Sequence, residues 1–322
     1  MDLEKIKIIY FGTPEFSARI LQDLLDAGFN IVGVVTESDK PVGRSQEVAP
    51  CAVKRLATEN GIRIINHESP LRESFEGQAR IMNEELRELK PDICVVAAYG
   101  KILKKETLEI PKYGFINFHP SLLPQLRGAS PIQSAILQGI EKTGVSIIKM
   151  DEGMDSGPIL SQVEIPIDKE ETTLTLQNKS LKYGIPLLIK TISEYVLGKI
   201  EPSEQNESEI TYCKKITKED GKIDFNKSAE EEYKKFRAYI DWPGSYCWWG
   251  EKRVKIFNIK YSILNIKGKS PGKVFLDGDG NLCLMFSDGY WIVDKLQLEG
   301  KKPMSAKEFL NGNKDFIDSL LK

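Results

Sequence analysis

Over the first 170 residues, short apolar runs alternate with stretches whose apolar residues recur at helical spacing, and this alternation restricts the fold most. Ile6 to Phe11 is an apolar run ending at Gly12, as a buried strand does. Phe16, Ile20 and Leu24 then recur every four residues, one face of a helix that stops near Gly28. Ile31 to Val35 reads as a second strand, the segment around Val53 to Glu59 as a second helix, and Ile62 to Ile65 as a third strand. A helix through Ile81, Leu86 and Leu89 ends before Pro91, and Asp92 to Ala98 follows as a central strand. Gly114 to Phe118 and Gly144 to Met150 are further strands. Strands separated by helices of this length predict an α/β fold with a Rossmann-like, doubly wound, mostly parallel sheet.

After Met150 the pattern changes. A long amphipathic helix is expected from about Thr173 to Leu197, with Leu174, Leu181, Ile185, Leu188, Ile192 and Val196 on one face. Glu201 to Glu209 is polar and without periodicity, a linker or surface crossing. Beyond it, Val254 to Ile259, Gly272 to Leu276, Leu282 to Phe286 and Tyr290 to Val293 are short, closely spaced strand candidates, the mark of a small β-barrel. Ser305 and Glu308 form a capping box opening a last helix. The expected division is a domain over 1–200, a linker over 201–212 and a β-barrel domain over 213–322.

The 322 residues are 41% apolar and 29% charged, enough to bury two cores, which excludes a disordered chain or a fibre. No apolar run approaches the roughly 20 residues of a membrane span, and the N-terminus lacks a signal-peptide pattern. Five scattered cysteines without a Cys-x-x-Cys pair favour a reduced, cytoplasmic, metal-free protein. Residues 213–322 carry 21 Lys and Arg against 16 Asp and Glu, while the other 212 residues carry 24 against 31. An acidic body with a basic C-terminal part hints at a polyanionic partner, although uneven surface charge alone would look the same.

Only two histidines are present, His67 and His119, so the search for a general acid or base is short. His119 stands two residues after Asn117, so both project to one side if the strand continues through them. They lie where a buried strand gives way to a loop, the edge at which open α/β sheets take ligands. There an Asn can donate to an oxyanion while a His moves a proton, or the two simply cap a turn. Asp151 to Gly157 packs two glycines and three acids into seven residues. Asp155 is expected to pair with His119 and raise its pKa, unless the segment is only an acidic turn. His67, on a polar stretch, reads as surface. Gly-x-Gly-x-x-Gly, a P-loop and Gly-x-Ser-x-Gly are all missing, which argues against nicotinamide or flavin enzymes, P-loop ATPases and α/β-hydrolases.

The string Asn117 to Gly128, with Thr143-Gly144-Val145 and the Asp151 to Gly157 loop, resembles the signature of the 10-formyltetrahydrofolate-dependent formyltransferases. Phe11 to Phe16, Ala129 to Gln133, Asp241 to Gly244 and Gly300 to Ala306 extend the likeness along nearly the whole chain, toward the branch that acts on initiator tRNA. The resemblance implies a Rossmann-like catalytic domain followed by a barrel of the oligonucleotide-binding type that binds tRNA. It implies transfer of a formyl group from folate N10 to the α-amine of methionine esterified to initiator tRNA, by a metal-free cytoplasmic monomer. It places the catalytic roles on Asn117, His119 and Asp155. Ser121, Leu122, Leu123, Pro124, Ile102, Leu103, Asp151 and Gly153 fall at its folate-contacting positions, and Lys40 and Arg44 on its tRNA-contacting loop. That loop usually reads Lys-Pro-Ala-Gly-Arg-Gly-Lys-Lys; here two lysines have become Gln46 and Glu47, which removes positive charge where phosphates lie. A sugar-nucleotide N-formyltransferase, using the same donor and the same three residues, is the alternative, and the altered loop favours it mildly. A donor-hydrolysing deformylase is less in keeping, since such enzymes carry a preceding regulatory domain and the catalytic pattern here starts at Ile6.

Overall fold

A computed structural model of the chain describes residues 3–42, 47–66, 75–262 and 270–322. Two compact units result. The first comprises 1–131, 142–166 and 177–213, the second 132–141, 167–176 and 214–322.

The first unit is built on a seven-stranded sheet: β1 (Lys7–Gly12), β2 (Asn30–Thr36), β3 (Ile64–Asn66), β4 (Ile93–Ala97), β5 (Phe115–His119), β6 (Lys142–Lys149) and β7 (Ile159–Pro166). The order is β7-β6-β5-β4-β1-β2-β3, parallel from β5 through β3, with β6 and β7 antiparallel. The Rossmann-like, mostly parallel sheet expected from the alternation is present. β4 is buried along its whole length, as a strand covered on both faces must be. The helix Glu15–Asp26 turns Ile20, Leu21 and Leu24 inward. β7 escapes the sequence reading because it is an edge strand whose Ser161, Gln162 and Glu164 break the apolar run. In the long helix Thr173–Val196, Leu176 is buried and Leu174 stands exposed, so the inward face begins two residues later than expected.

The polar segment after that helix is fastened within the first unit. Ser203 and Ile159 exchange backbone hydrogen bonds at 2.9 and 2.7 Å, and Tyr212–Cys213 pairs in parallel with Arg127–Gly128.

The second unit holds an antiparallel sheet of β8 (Ser245–Trp249), β9 (Lys252–Ser262), β10 (Val274–Leu276), β11 (Leu282–Met285) and β12 (Tyr290–Leu298), ordered β8-β9-β12-β11-β10, with β13 (Met304–Ser305) beside β12. The chain end bridges the two outer strands. Ser319 accepts from Val274 N–H at 3.0 Å and Leu321 donates to Gly272 at 2.9 Å, while Lys322 and Trp248 exchange bonds at 2.7 and 3.0 Å. The last four residues thus pair with both outer strands, β8 being bridged at Tyr246 by Lys222 as well. Trp291, Phe286, Phe309 and Phe316 fill the interior, and the Trp291 indole donates to the Ala229 carbonyl at 3.0 Å. The Ser305–Glu308 capping box forms in both directions, and a second one, Ser228 with Glu231, opens the helix Ala229–Ala238.

Candidate active site

The end of β5 and the loop between β6 and β7 bring three polar side chains together. Asn117 pairs in register with Val96 of β4 and Ile148 of β6, and His119 lies opposite Ser146. Period-two alternation then sends Asn117 and His119 to one face of the sheet, as expected. Asp155 faces them from the loop. Its Oδ1 accepts from Asn117 Nδ2 at 3.2 Å, its Oδ2 accepts from Gly128 N–H at 2.8 Å, and the same Oδ2 lies 3.6 Å from His119 Nδ1. Asp155 holds this orientation with a left-handed backbone, φ +51°, which acidic and amide side chains adopt more readily than others.

The environment of His119 decides its chemistry. Its Nε2 lies 3.0 Å from the Leu126 carbonyl oxygen, which can only accept, so Nε2 carries the hydrogen and donates it. In the neutral ring the lone pair therefore sits on Nδ1, beside Asp155. The ring is 3% exposed, and this burial pushes its pKa below the ordinary 6.5, against the upward pull of Asp155. Asp155 pulls the pKa upward as expected, but the net shift is downward, because desolvation of the imidazolium outweighs one nearby carboxylate. The unfolded chain binds this proton at higher pH than the folded chain does, so His119 costs stability as pH falls below about 6.5. With only two histidines, ¹⁵N-resolved NMR reads this directly. One imidazole should hold a neutral, Nε2-protonated ring at pH 7 and titrate below 6.5; no histidine titrating below that value would contradict the burial argument.

The segment at Ser121 to Pro124 is built by hydrogen bonding. Ser146 Oγ donates to the Ser121 carbonyl at 2.7 Å and accepts from Leu123 N–H at 3.0 Å and Gln162 Nε2 at 2.8 Å. Gln162 Nε2 also donates to the Leu123 carbonyl at 2.8 Å. Ser121 is fully buried, its hydroxyl donating to the Gln125 carbonyl. Leu123 is buried and Leu122 half-buried. The Thr143-Gly144-Val145 motif has a steric reason here: a Cβ on Gly144 would stand 2.2 Å from the Val163 carbonyl oxygen and 2.4 Å from a Leu122 methyl.

Among the other candidate ligand residues, Ile102 is exposed and Leu103 is buried in the core with Phe11 and Tyr99. Asp151 accepts from Gly153 N–H and Ser156 Oγ, which closes the 151–157 loop on itself. Gly157 ends that loop where a Cβ would stand 1.8 Å from the Lys149 carbonyl oxygen. Gly157→Ala should therefore destabilise the protein by about 1–3 kcal/mol, read as a lowered melting temperature in calorimetry. An unchanged melting temperature would contradict the close approach. Lys40 begins the strand Lys40–Val42, which pairs with Glu47–Ala49, whereas Arg44 and His67 lie outside the described residues. Among the described residues, no group of three or more His, Cys, Asp or Glu is placed to hold a metal ion, and no helix is long and apolar enough to cross a membrane.

Two residues that motif reading left unassigned also reach the site. Gln205 donates to the backbone carbonyls of Asp155 and Gly157, and Cys213 accepts from Ser130 N–H at 3.3 Å while donating to the Arg127 carbonyl. Burial pushes the Cys213 thiol pKa up, which keeps it protonated as that donor.

Residues 4–192 match the formyl transferase family and residues 215–314 its C-terminal domain. Methionyl-tRNA formyltransferase of Bacillus cereus (strain AH187) is 40% identical over an alignment of 326 residues that covers 98% of each chain; that of Bacillus anthracis (strain A0248) is 39% identical with the same coverage. Among solved structures, the N-formyltransferase from Helicobacter canadensis, in complex with folinic acid and dTDP-3-aminofucose, superposes with a TM-score of 0.64 at 23% identity, over 89% of this chain and 98% of that one. HypX from Aquifex aeolicus superposes with a TM-score of 0.66 at 17% identity, and the chain spans half of its length. The solved structures share the fold, whereas the two bacillary proteins share sequence from end to end. The chain belongs to the formyl transferase family, within it to the methionyl-tRNA formyltransferases.

Proposed function

We propose that the chain transfers the formyl group of 10-formyltetrahydrofolate to the α-amino group of methionyl initiator tRNA, with Asn117, His119 and Asp155 performing the chemistry. The convergence of Asn117 Nδ2 and His119 Nδ1 on one Asp155 carboxylate carries this reading. The neutral amine attacks the formyl carbon, and the carbonyl oxygen takes the negative charge of the tetrahedral intermediate. Asn117 commits one amide hydrogen to Asp155, and its second meets that oxyanion. The amine loses a proton, the C–N10 bond breaks, and N10 gains a proton. His119 is neutral before attack, so Nδ1 takes the proton that the amine loses, Asp155 Oδ2 at 3.6 Å stabilises the imidazolium so formed, and the same proton is passed on to N10 as the C–N10 bond breaks, which returns the ring to its neutral form.

The donor is assigned to Ile102, Leu103, the Ser121 to Pro124 segment and the 151–157 loop with its Asp151 and Gly153. Residues 1–200 would then hold the catalytic site, 201–212 the connection, and 213–322 the tRNA-binding part, whose excess of five positive charges suits a polyanion. Lys40 and Arg44 are assigned to the acceptor end of the tRNA. The enzyme acts in the cytoplasm as a monomer. The test is consumption of 10-formyltetrahydrofolate with and without methionyl initiator tRNA. Consumption should require the tRNA, and equal consumption without it would make the enzyme a hydrolase of the donor.

A further inference from the structure

Asp155 is oriented by a residue fifty positions away. The Gln205 side chain is 8% exposed and uses both ends of its amide. Nε2 donates to the carbonyls of Asp155 at 2.8 Å and Gly157 at 2.7 Å. Oε1 accepts from Arg127 Nε at 3.0 Å and Nη2 at 2.7 Å, a two-pronged contact with a guanidinium that is itself buried. Arg127 precedes Gly128, whose N–H holds the Asp155 carboxylate. Asp155 is therefore gripped at its side chain by Gly128 and at its main chain by Gln205, and Arg127 joins the two holds. Both ends of the 203–213 segment are fixed as well, at Ile159 by Ser203 and at Arg127–Gly128 by Tyr212–Cys213.

This grip has a task. Asp155 sits at φ +51°, outside the backbone region that residues other than glycine prefer, and in that conformation its carboxylate meets both Asn117 and His119. A side-chain amide is suited to holding such a turn. It donates to two carbonyls of one turn, two residues apart, while accepting from Arg127, a combination that a carboxylate or a hydrocarbon of the same length cannot make.

We propose that Gln205 is a positioning residue for Asp155: by bridging Arg127 to the carbonyls of Asp155 and Gly157, it fixes the left-handed turn that aims the carboxylate at Asn117 and His119. The inference rests on the proposed reading of Asp155 as part of the reacting centre, and it adds a residue that does not touch the substrates.

The test is a double-mutant cycle with Gln205→Glu, Gln205→Leu and Asp155→Asn, measured as transfer to whichever acceptor the wild-type chain uses. Gln205→Glu retains a partner for Arg127 and loses both donors, and Gln205→Leu loses everything. Each should lower kcat by about 10²-fold, the scale of a misplacement near 1 Å, with KM for both substrates held. In the Asp155→Asn background neither should lower kcat further, because the group it positions has lost its charge. A merely structural role gives another pattern: losses that add to that of Asp155→Asn, or that track the melting temperature. That pattern, or unchanged kcat in Gln205→Leu, overturns the inference. Wild-type protein that forms no product on tRNA overturns the proposed acceptor instead, so the two failures are distinguishable.

Discussion

Replacing Asp155 by Asn is expected to lower kcat for formyl transfer by about 10²–10⁴-fold, the range of a lost general acid–base system. The carboxylate serves three neighbours at once. It accepts from Asn117 Nδ2 and Gly128 N–H, and it faces His119 Nδ1. An amide has one acceptor atom, so its NH₂ must confront one of the two donors. It also carries no charge with which to stabilise an imidazolium in a site that already disfavours one. Because Asn tolerates left-handed backbone, the turn at φ +51° is expected to persist and the melting temperature to stay close to that of wild type. His119→Ala should fall in the same range, and the double variant should lose little more than either single one, since the two residues act as a unit. Strictly multiplicative losses would contradict the coupling, and wild-type kcat in either variant would remove these residues from the chemistry.

Asn117→Ala is expected to cost about 10²–10³-fold in kcat, the loss seen when one oxyanion donor is removed. The effect should appear in kcat with KM nearly constant, because the oxyanion exists only during transfer. Asn117→Asp is the sharper probe. It keeps size and removes the donor, and it sets a second carboxylate where Nδ2 now lies 3.2 Å from Asp155 Oδ1. Repulsion between the two should raise one pKa and shift the lower limb of the pH–rate profile upward. A raised KM with unchanged kcat in Asn117→Ala would assign Asn117 to donor binding.

How much of this was legible in the sequence differs between backbone and side chain. The parallel strands were readable because burial on both faces leaves almost nothing polar in them, as in Ile93–Ala97. Asn117 and His119 were readable because period two is a property of any strand, and Asp155 because glycines and acids crowd its loop. β7 was hidden by its polar edge positions. Ser245–Trp249 was hidden because it directly follows a Pro–Gly turn and offers no alternation, being buried over Ser245 to Cys247 and partly buried beyond. Pairing by the chain end carried no side-chain signal at all, since Ser319, Leu321 and Lys322 act through their backbones. Gln205 stood in a segment without periodicity, and its role depends on carbonyls that no residue type advertises. The net shift of the His119 pKa is downward for a related reason: a motif names the carboxylate beside an imidazole, whereas burial is a property of the whole unit.

The acceptor is the central claim, and parallel single-turnover transfer tests it most directly. The protein is mixed with 10-formyltetrahydrofolate labelled in the formyl carbon and with three acceptors separately: methionyl initiator tRNA, methionyl elongator tRNA and an amino-sugar nucleotide. Label is expected as N-formylmethionine on the initiator tRNA, with far less on the elongator despite the same reacting amine. Label on the sugar nucleotide and none on either tRNA would contradict the account, leaving the chemistry of Asn117, His119 and Asp155 in place with a different acceptor.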